Sequence, residues 1–409
     1  LASQGQVERT AGGLVKTLRG RAALGASGAD AYQCPVTSLP FDPGHARLVP
    51  LTVLGVETSC DETAAAVVRR DPDGGVEVLA SVVLSQVERH APFGGVVPEI
   101  AARAHVETIE AIVAGALAQA RLAPADLSAI AATAGPGLVG GVMVGLAFAK
   151  AMALALGRPL IAVNHLEGHA VSARLTQPVA YPFLLLLVSG GHCQLLDVGG
   201  IGACRRLGST LDDAAGEAFD KIGGALGLAY PAGPALEALA RGGDADRFNL
   251  PRSLPGRAGC DFSFSGLKTA AARLAEGLSA EGDRRDLAAG AQAAIARQLA
   301  DRTARAMDLF LDAHDGADRR FVVAGGVAAN AAVREALQAL CRARRFAFLA
   351  PPLAYCTDNG AMIALAGAER LAAGLTDALD VAARPRWPLD EEAARLAPLH
   401  LAGRKGAKA

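Results

Sequence analysis

The sequence predicts an α/β protein built as two halves, each a mixed sheet with helices on both faces, facing one another across a cleft. Three repeated patterns carry that expectation. A strand, a polar turn and a returning strand open each half. The first is Val53-Leu54-Gly55-Val56-Glu57-Thr58-Ser59-Cys60 followed by 63–69. The second is 183–188, Ser189-Gly190-Gly191-His192 and 193–198. Next, apolar strands at 129–133 and 321–323 run into small-residue turns, Ala134-Gly135-Pro136-Gly137 and Ala324-Gly325-Gly326-Val327, and then into helices. Finally, short strands at 160–163 and 345–349 lead to a closing helix in each half. Hairpins followed by helix–strand crossovers give mixed sheets covered by helices.

The elements between these landmarks follow from periodicity. Residues 104–120 read as an amphipathic helix, with Val106, Ile109, Val113 and Leu117 on one stripe widened by Ile112 and Ala116. Residues 213–226 and 234–240 supply the helices after the second hairpin. The uncharged run 127–149 is long enough for a membrane span of roughly 20 residues. Its Gly135-Pro136-Gly137 and Gly140-Gly141 breaks fit a buried strand, a turn and a buried helix better, so no membrane partner is expected.

Residues 1–50 lack sustained periodicity and read as a disordered extension, or as a start placed too far upstream, since the first residue is Leu. The halves are expected at 51–178 and 179–391, with an Ala/Lys-rich tail at 392–409. A length of 409 residues accommodates two real cores. With 51% hydrophobic residues and 4% aromatics, those cores consist of Ala, Val and Leu. The net charge of −1 excludes a global basic field, so RNA contact must come from local clusters. Arg284-Arg285, Arg319-Arg320 and Arg342-Arg344-Arg345 are the candidates. Seven cysteines without a C-x-x-C pair fit a reduced, cytoplasmic protein.

His165-Leu166-Glu167-Gly168-His169 carries the sharpest chemistry. On a helix, residues four apart share a face, so both imidazoles reach one metal ion. Glu167 sits about 200° around the helix from His165 and faces away. The zinc-protease string instead places Glu directly after the first His, as general base, which counts against a metalloprotease. Asp358, in Thr357-Asp358-Asn359-Gly360 at the second closing helix, is the natural third ligand across the cleft. The plain alternative is a helix cap.

Three turns after apolar strands face the cleft: 57–63, 189–192 and 325–330. Glycine there lets backbone N–H groups approach phosphate oxygens. Neither a P-loop nor a dinucleotide fingerprint is present. In 212–221, Asp220 and Lys221 follow Gly216 by about one turn, facing a ribose or phosphate, or else mark a solvated helix start. Residues 261–269 either stack a base through Phe262 and Phe264 or form a strand edge and helix start.

Taken in order, these strings resemble the bacterial tRNA N6-adenosine threonylcarbamoyltransferase family. The matching stretches are 55–63, 93–99, 134–138, 165–169, 187–192, 212–221, 261–269, 324–330 and 356–362. The resemblance spans about 53–388. It implies the actin-like ATPase fold, two ribonuclease-H-like halves around a nucleotide cleft. It implies iron or zinc held by His165, His169 and Asp358. It implies that Leu187, Val188, Ser189, Gly190, Gly191, Asp220, Gly233 and Asn330 bind the adenylate part of threonylcarbamoyl-AMP, with AMP as product. The acceptor would be N6 of the adenosine 3′ of the anticodon in tRNAs reading codons that start with A. Asp61 or Glu62 would take the proton from that nitrogen, or would orient a second metal or a water. A catalytically inert paralogue, pairing through 104–120 as a heterodimer, and a small ATPase would be partners. Ala232 stands where the family often has Gly. Two rivals are an actin-fold small-molecule kinase and a non-catalytic, nucleotide-dependent assembly subunit, and neither needs the His–His–Asp set.

Overall fold

The computed structural model describes residues 43–46 and 48–396. The expectations for 1–42 and 397–409 lie outside the described residues. Two five-stranded sheets repeat one plan. The first holds β1 (Leu51–Glu57), β2 (Glu62–Arg70), β3 (Val76–Ser85), β4 (Ala129–Gly135) and β5 (Leu160–Asn164), in the order β3-β2-β1-β4-β5. The second holds β6 (Phe183–Val188), β7 (Cys193–Gly200), β8 (Ala203–Ser209), β9 (Arg320–Ala324) and β10 (Ala347–Leu349), in the corresponding order β8-β7-β6-β9-β10. In both, a three-stranded antiparallel meander is extended by two parallel strands. β4 and β6 are buried along their whole length, as strands covered on both faces require. The third meander strands, β3 and β8, were not expected. Both lie at sheet edges and carry exposed polar residues, so their apolar alternation is weak.

Helices cover the sheets: α1 (Pro98–Ala120), α2 (Val139–Leu156), α3 (His165–Val171), α4 (Ala215–Ala225), α5 (Gly233–Ala240), α6 (Ser265–Ala275), α7 (Glu281–Ala313), α8 (Ala331–Arg344) and α9 (Gly360–Ala372). The 33-residue α7 also went unread. Its buried stripe, Leu287, Ala291, Ile295, Leu299 and Phe310, is diluted by alanine and arginine. In α1, Ile109, Val113 and Leu117 face the sheet, whereas Val106 is 64% exposed and leaves the expected stripe. The uncharged run resolves into β4, a turn and α2. By length and composition alone, α2 is long and apolar enough to cross a membrane. Here Val142, Leu146, Ala149 and Ala153 bury one face against the first sheet.

The closing helices are exchanged between the sheets. α9 follows the last strand of the second sheet, yet Ala361, Ile363, Ala364 and Leu365 pack with Val53, Ala66 and Ala131 of the first. Leu166 and Ala170 of α3, which follows the first sheet, pack with Phe183, Leu185 and Leu187 of the second. The exchange brings the start of α3 and the segment ahead of α9 together. Glycine makes the crossing close. A Cβ on Gly55 would lie 2.3 Å from the Ala364 nitrogen, one on Gly360 2.5 Å from the Ala66 nitrogen, and one on Gly168 2.8 Å from Ile363 Cδ1. The first two meet backbone, which cannot swing aside. We expect Gly360→Ala to destabilise the protein by about 1–3 kcal/mol through overpacking. A thermal melt matching the parent would show that α9 does not seat on β2.

Candidate functional site

α3 begins at His165 because Asn164 caps it, its side chain accepting from Leu166 N–H at 2.9 Å. The cap fixes where the helix starts and therefore where both imidazoles point. His165 and His169 are buried, with ring centroids 4.7 Å apart and planes crossed at 86°. Asp358 Oδ1 lies 3.1 Å from His169 Nε2 and 3.6 Å from His165 Nε2. One ligand atom from each of the three falls within 4.8 Å of the others. The buried Nδ1 of His169 has no hydrogen-bond partner among the described residues. Two imidazoles and one carboxylate, converging and buried with a polar edge unmet by protein, form a donor set that suits iron or zinc.

Asp358 is not part of α9. The cap of that helix is Asn359, whose side chain accepts from Met362 N–H at 3.0 Å. The cap reading of Asp358 therefore falls away, and its carboxylate is free to face the histidines. Glu167 faces away as its helical position requires, buried against Arg370 at 3.2 Å and Gly202 N–H at 2.6 Å.

Sequence reasoning missed the partner of His165. Its Nδ1–H donates to Glu57 Oε2 at 2.9 Å, which leaves Nε2 directed at Asp358. Glu57 is fully buried and also accepts from Thr133 Oγ1–H and Ser59 N–H, both at 2.6 Å. Burial alone would depress the His165 imidazole, but the Asp358 and Glu57 carboxylates prevail and push it up to about 9. Burial likewise works against an ionised Glu57, and His165 overrides it to hold that carboxyl below its usual range. A carboxylate fixing the tautomer of a ligating histidine is the usual outer support of a metal site.

In front of this group lies a cavity of about 870 Å³. Ser59 to Glu62, His165, Ser189 to His192, Asp220, Lys221, Tyr230 and Asp358 line it. The 189–192 turn is held by Ser189 N–H donating to the His192 carbonyl at 2.8 Å. The first turn of α4 abuts it, Gly216 N–H donating to the Ser189 carbonyl at 3.1 Å, and a Cβ on Gly216 would sit 2.6 Å from that oxygen. Asp220 Oδ1 accepts from Ala232 N–H at 2.8 Å and anchors the entry to α5. Burial raises its carboxyl above the ordinary value. Burial, then Asp358, Asp61 and Glu57, push Glu62 well above the usual range, and a hydrogen bond joins it to Asp61.

Other expected residues sit outside the cavity lining. Leu187 and Val188 are buried beneath the turn, at the end of β6. Gly233 opens α5 behind Ala232. Asn330 caps α8 by accepting from Val333 N–H at 3.0 Å and donates to Gln292 at 2.9 Å. Phe262 and Phe264 are fully buried and stacked on each other at 6.1 Å, so the strand-edge reading holds and no base stacks there. Asp212 ties that segment down, accepting from Ser263, Ser265 and Phe264 N–H.

The profile of the family described as TsaD, tRNA N6-adenosine threonylcarbamoyltransferase, matches residues 77–365. A protein of that name from Caulobacter vibrioides is 71% identical over 359 residues, covering 88% of this chain and 98% of the relative. Another from Rhodospirillum rubrum is 57% identical over 354 residues, covering 85% and 98%. Among solved structures, T.kodakarensis HypF superposes with a TM-score of 0.54 at 16% identity, covering 80% of this chain and 50% of its own. At that identity the likeness bears on fold alone, and it agrees with the actin-like plan of two repeated sheets. The family profile and the near full-length identity to curated members together establish that this chain belongs to the tRNA N6-adenosine threonylcarbamoyltransferase family.

Proposed function

We propose that the chain transfers a threonylcarbamoyl group from threonylcarbamoyl-AMP to N6 of the adenosine 3′ of the anticodon in tRNAs reading codons that start with A. The observation that carries this reading is the convergence, on one cavity, of the His165–His169–Asp358 set, the 189–192 glycine turn and the Asp61–Glu62 pair. The acceptor amine is a weak nucleophile because its lone pair is conjugated with the purine, so the carbonyl carbon has to be activated. Iron or zinc held by His165, His169 and Asp358 would supply Lewis-acid polarisation of the carbamoyl oxygen.

This chain's own residues do the rest. Gly190 and Gly191 let the backbone approach the phosphate, and the N-terminus of α4 behind them favours its charge. Lys221 stands at the exposed rim as a counter-charge. Leu187 and Val188 set the depth of the turn, Asp220 shapes the wall for the ribose, Gly233 opens the helix behind that wall, and Asn330 holds the next turn in register. As N6 bonds to the carbamoyl carbon, the carbon–oxygen bond to AMP breaks and AMP leaves with the electron pair. The N6 proton passes to Asp61. Glu62, whose carboxyl is pushed above its usual range by burial and the neighbouring carboxylates, is hydrogen-bonded to Asp61 and orients it. A small-molecule kinase leaves the buried imidazole pair without a role.

The test is transfer of threonylcarbamoyl to bulk tRNA by the purified protein with its partner subunits, alongside its metal content. Metal-loaded protein that modifies no tRNA would overturn the reading.

The expected partners are an inert paralogue and a small ATPase. Val106 of α1 and Val139, Met143 and Leu154 of α2 are 51–64% exposed. Positions 139, 143 and 154 share one helical face. This apolar surface on adjoining helices suits a heterodimer with the paralogue. We expect Val106→Glu or Met143→Glu to abolish heterodimer formation in size-exclusion chromatography without lowering the melting temperature. A heterodimer surviving both would place the interface elsewhere. For tRNA, Arg320 and Arg344 already pair with Asp318 and Asp308. Arg284 likewise donates to the Leu226 carbonyl and Arg285 lies 3.6 Å from Glu281, which leaves Arg342 and Arg345 as the candidate phosphate contacts.

A further inference from the structure

Two histidines lie buried behind the cavity and play no part in the mechanism above. His90 and His105 are both fully buried. They are joined into one chain of hydrogen bonds. Val97 N–H lies 3.3 Å from His90 Nδ1. His90 Nε2 lies 3.2 Å from Gln86 Oε1. Gln86 Nε2 lies 3.2 Å from His105 Nδ1. His105 Nε2 lies 3.1 Å from the Cys60 carbonyl oxygen.

The two ends fix the direction of the chain. A backbone N–H only donates and a carbonyl only accepts. Val97 therefore donates to His90 Nδ1, and His90 must carry its proton on Nε2. The Gln86 amide accepts at oxygen and donates at nitrogen. His105 then accepts at Nδ1 and donates from Nε2–H to Cys60. Thr63 agrees with this polarity. Thr108 Oγ1–H is given to the Ala104 carbonyl at 2.7 Å, so the Thr63 hydroxyl donates to His105 Nδ1 at 2.8 Å. With both imidazoles neutral, the His105 Nδ1 lone pair is shared by the Thr63 hydroxyl at 2.8 Å and the more distant Gln86 amide at 3.2 Å. Burial lowers the His105 imidazole below its ordinary value, which suits that state.

The chain connects two stretches that line the cavity. Gly94 to Val96, just ahead of Val97, form one part of the lining, and Cys60 to Glu62 form another. A trans peptide points its N–H opposite to its carbonyl. A Cys60 carbonyl held by the buried His105 ring therefore turns the Asp61 N–H away from that ring, to the cavity side. Gln86 N–H, bonded to the Asp61 carbonyl at 2.9 Å, secures the next peptide.

We propose that His105 is a positioning residue for the transfer reaction: through this one-way chain from Val97 it fixes the Cys60–Asp61 peptide, and with it the Asp61–Glu62 pair, at the reacting centre. The inference rests on the proposed transfer activity. It predicts that losing the His105 donor misplaces the pair without touching the metal ligands or the nucleotide turn. His105→Leu should lower kcat by about 10–100-fold, since misplacement of about 1 Å costs on that order. KM for threonylcarbamoyl-AMP and metal content should stay within twofold. His105→Gln, whose amide N–H reaches toward Cys60, should restore most of kcat. Gln86→Met, which cuts the chain one step earlier and leaves the ring in place, should fall between the two. It also carries the test if His105→Leu fails to fold.

Nitrogen-15 spectroscopy of the imidazoles in the unmodified full chain gives a readout independent of activity. It should show both His90 and His105 neutral with the proton on Nε2. Either ring protonated on Nδ1 would overturn the chain. So would full kcat in folded His105→Leu, or a His105→Gln variant as slow as His105→Leu. If the unmodified protein transfers nothing while its rings show the expected tautomers, the activity fails and not the hydrogen-bond chain.

Discussion

Replacing His165 and His169 together by alanine should abolish metal retention and threonylcarbamoyl transfer while the protein still folds. Both imidazoles point at Asp358 Oδ1 from one face of α3, and no third imidazole or thiolate joins that set among the described residues. The helix itself does not depend on them. Its cap is Asn164, and Leu166 and Ala170 supply its seat in the core. Elemental analysis and a thermal melt of the same sample decide the matter, and full metal occupancy in the double variant would remove the site. Glu57→Gln is the graded companion. It keeps the shape beside His165 but loses the charge that fixes its tautomer, and outer-support losses of this type cost about 10–100-fold in metal affinity. Glu57→Gln with parental affinity would reduce Glu57 to a strand-end hydrogen bond.

The plan of two repeated sheets was legible because hairpin, glycine turn and crossover recur in order, and each depends on local sequence. The exchange of the closing helices was not. It depends on Gly55, Gly360 and Gly168 letting α9 cross β1, β2 and α3 at contact distance, and a lone glycine in a strand or helix does not say what approaches it. For the same reason the sequence pointed to the His165–His169–Asp358 group but not to the carboxylate beside it. His165 and His169 declare themselves by spacing. Glu57 sits 108 residues away from His165, and only the parallel pairing of β1 with β4 and of β4 with β5 brings it there. His90, Gln86 and His105 likewise look like unrelated polar residues until α1 folds back over β2. The apolar stripe of α1 was read correctly at Ile109, Val113 and Leu117. Val106 leaves the stripe because stripe width alone does not mark where the sheet ends.

Asp358→Asn and Asn359→Ala should separate binding from capping at adjacent positions. Asp358 lies outside α9, and its carboxylate faces His169 at 3.1 Å. Burial opposes its ionised form, yet His165 and His169 hold the carboxyl below the usual carboxylate range. It is therefore an anion ready for a cation, and the amide of asparagine offers a neutral and weaker oxygen. Asp358→Asn should lose metal and transfer together while the protein still unfolds in one cooperative transition, because the α9 cap is untouched. Asn359 is fully buried, accepts from Met362 N–H and donates to the Thr357 carbonyl at 2.7 Å. Asn359→Ala should cost about 0.5–2 kcal/mol of stability, as loss of a cap does. Metal content should stay high in that variant wherever it remains folded. The reverse pattern, metal kept in Asp358→Asn and lost in folded Asn359→Ala, would mean that the segment ahead of α9 matters for its backbone path and that Asp358 is no ligand.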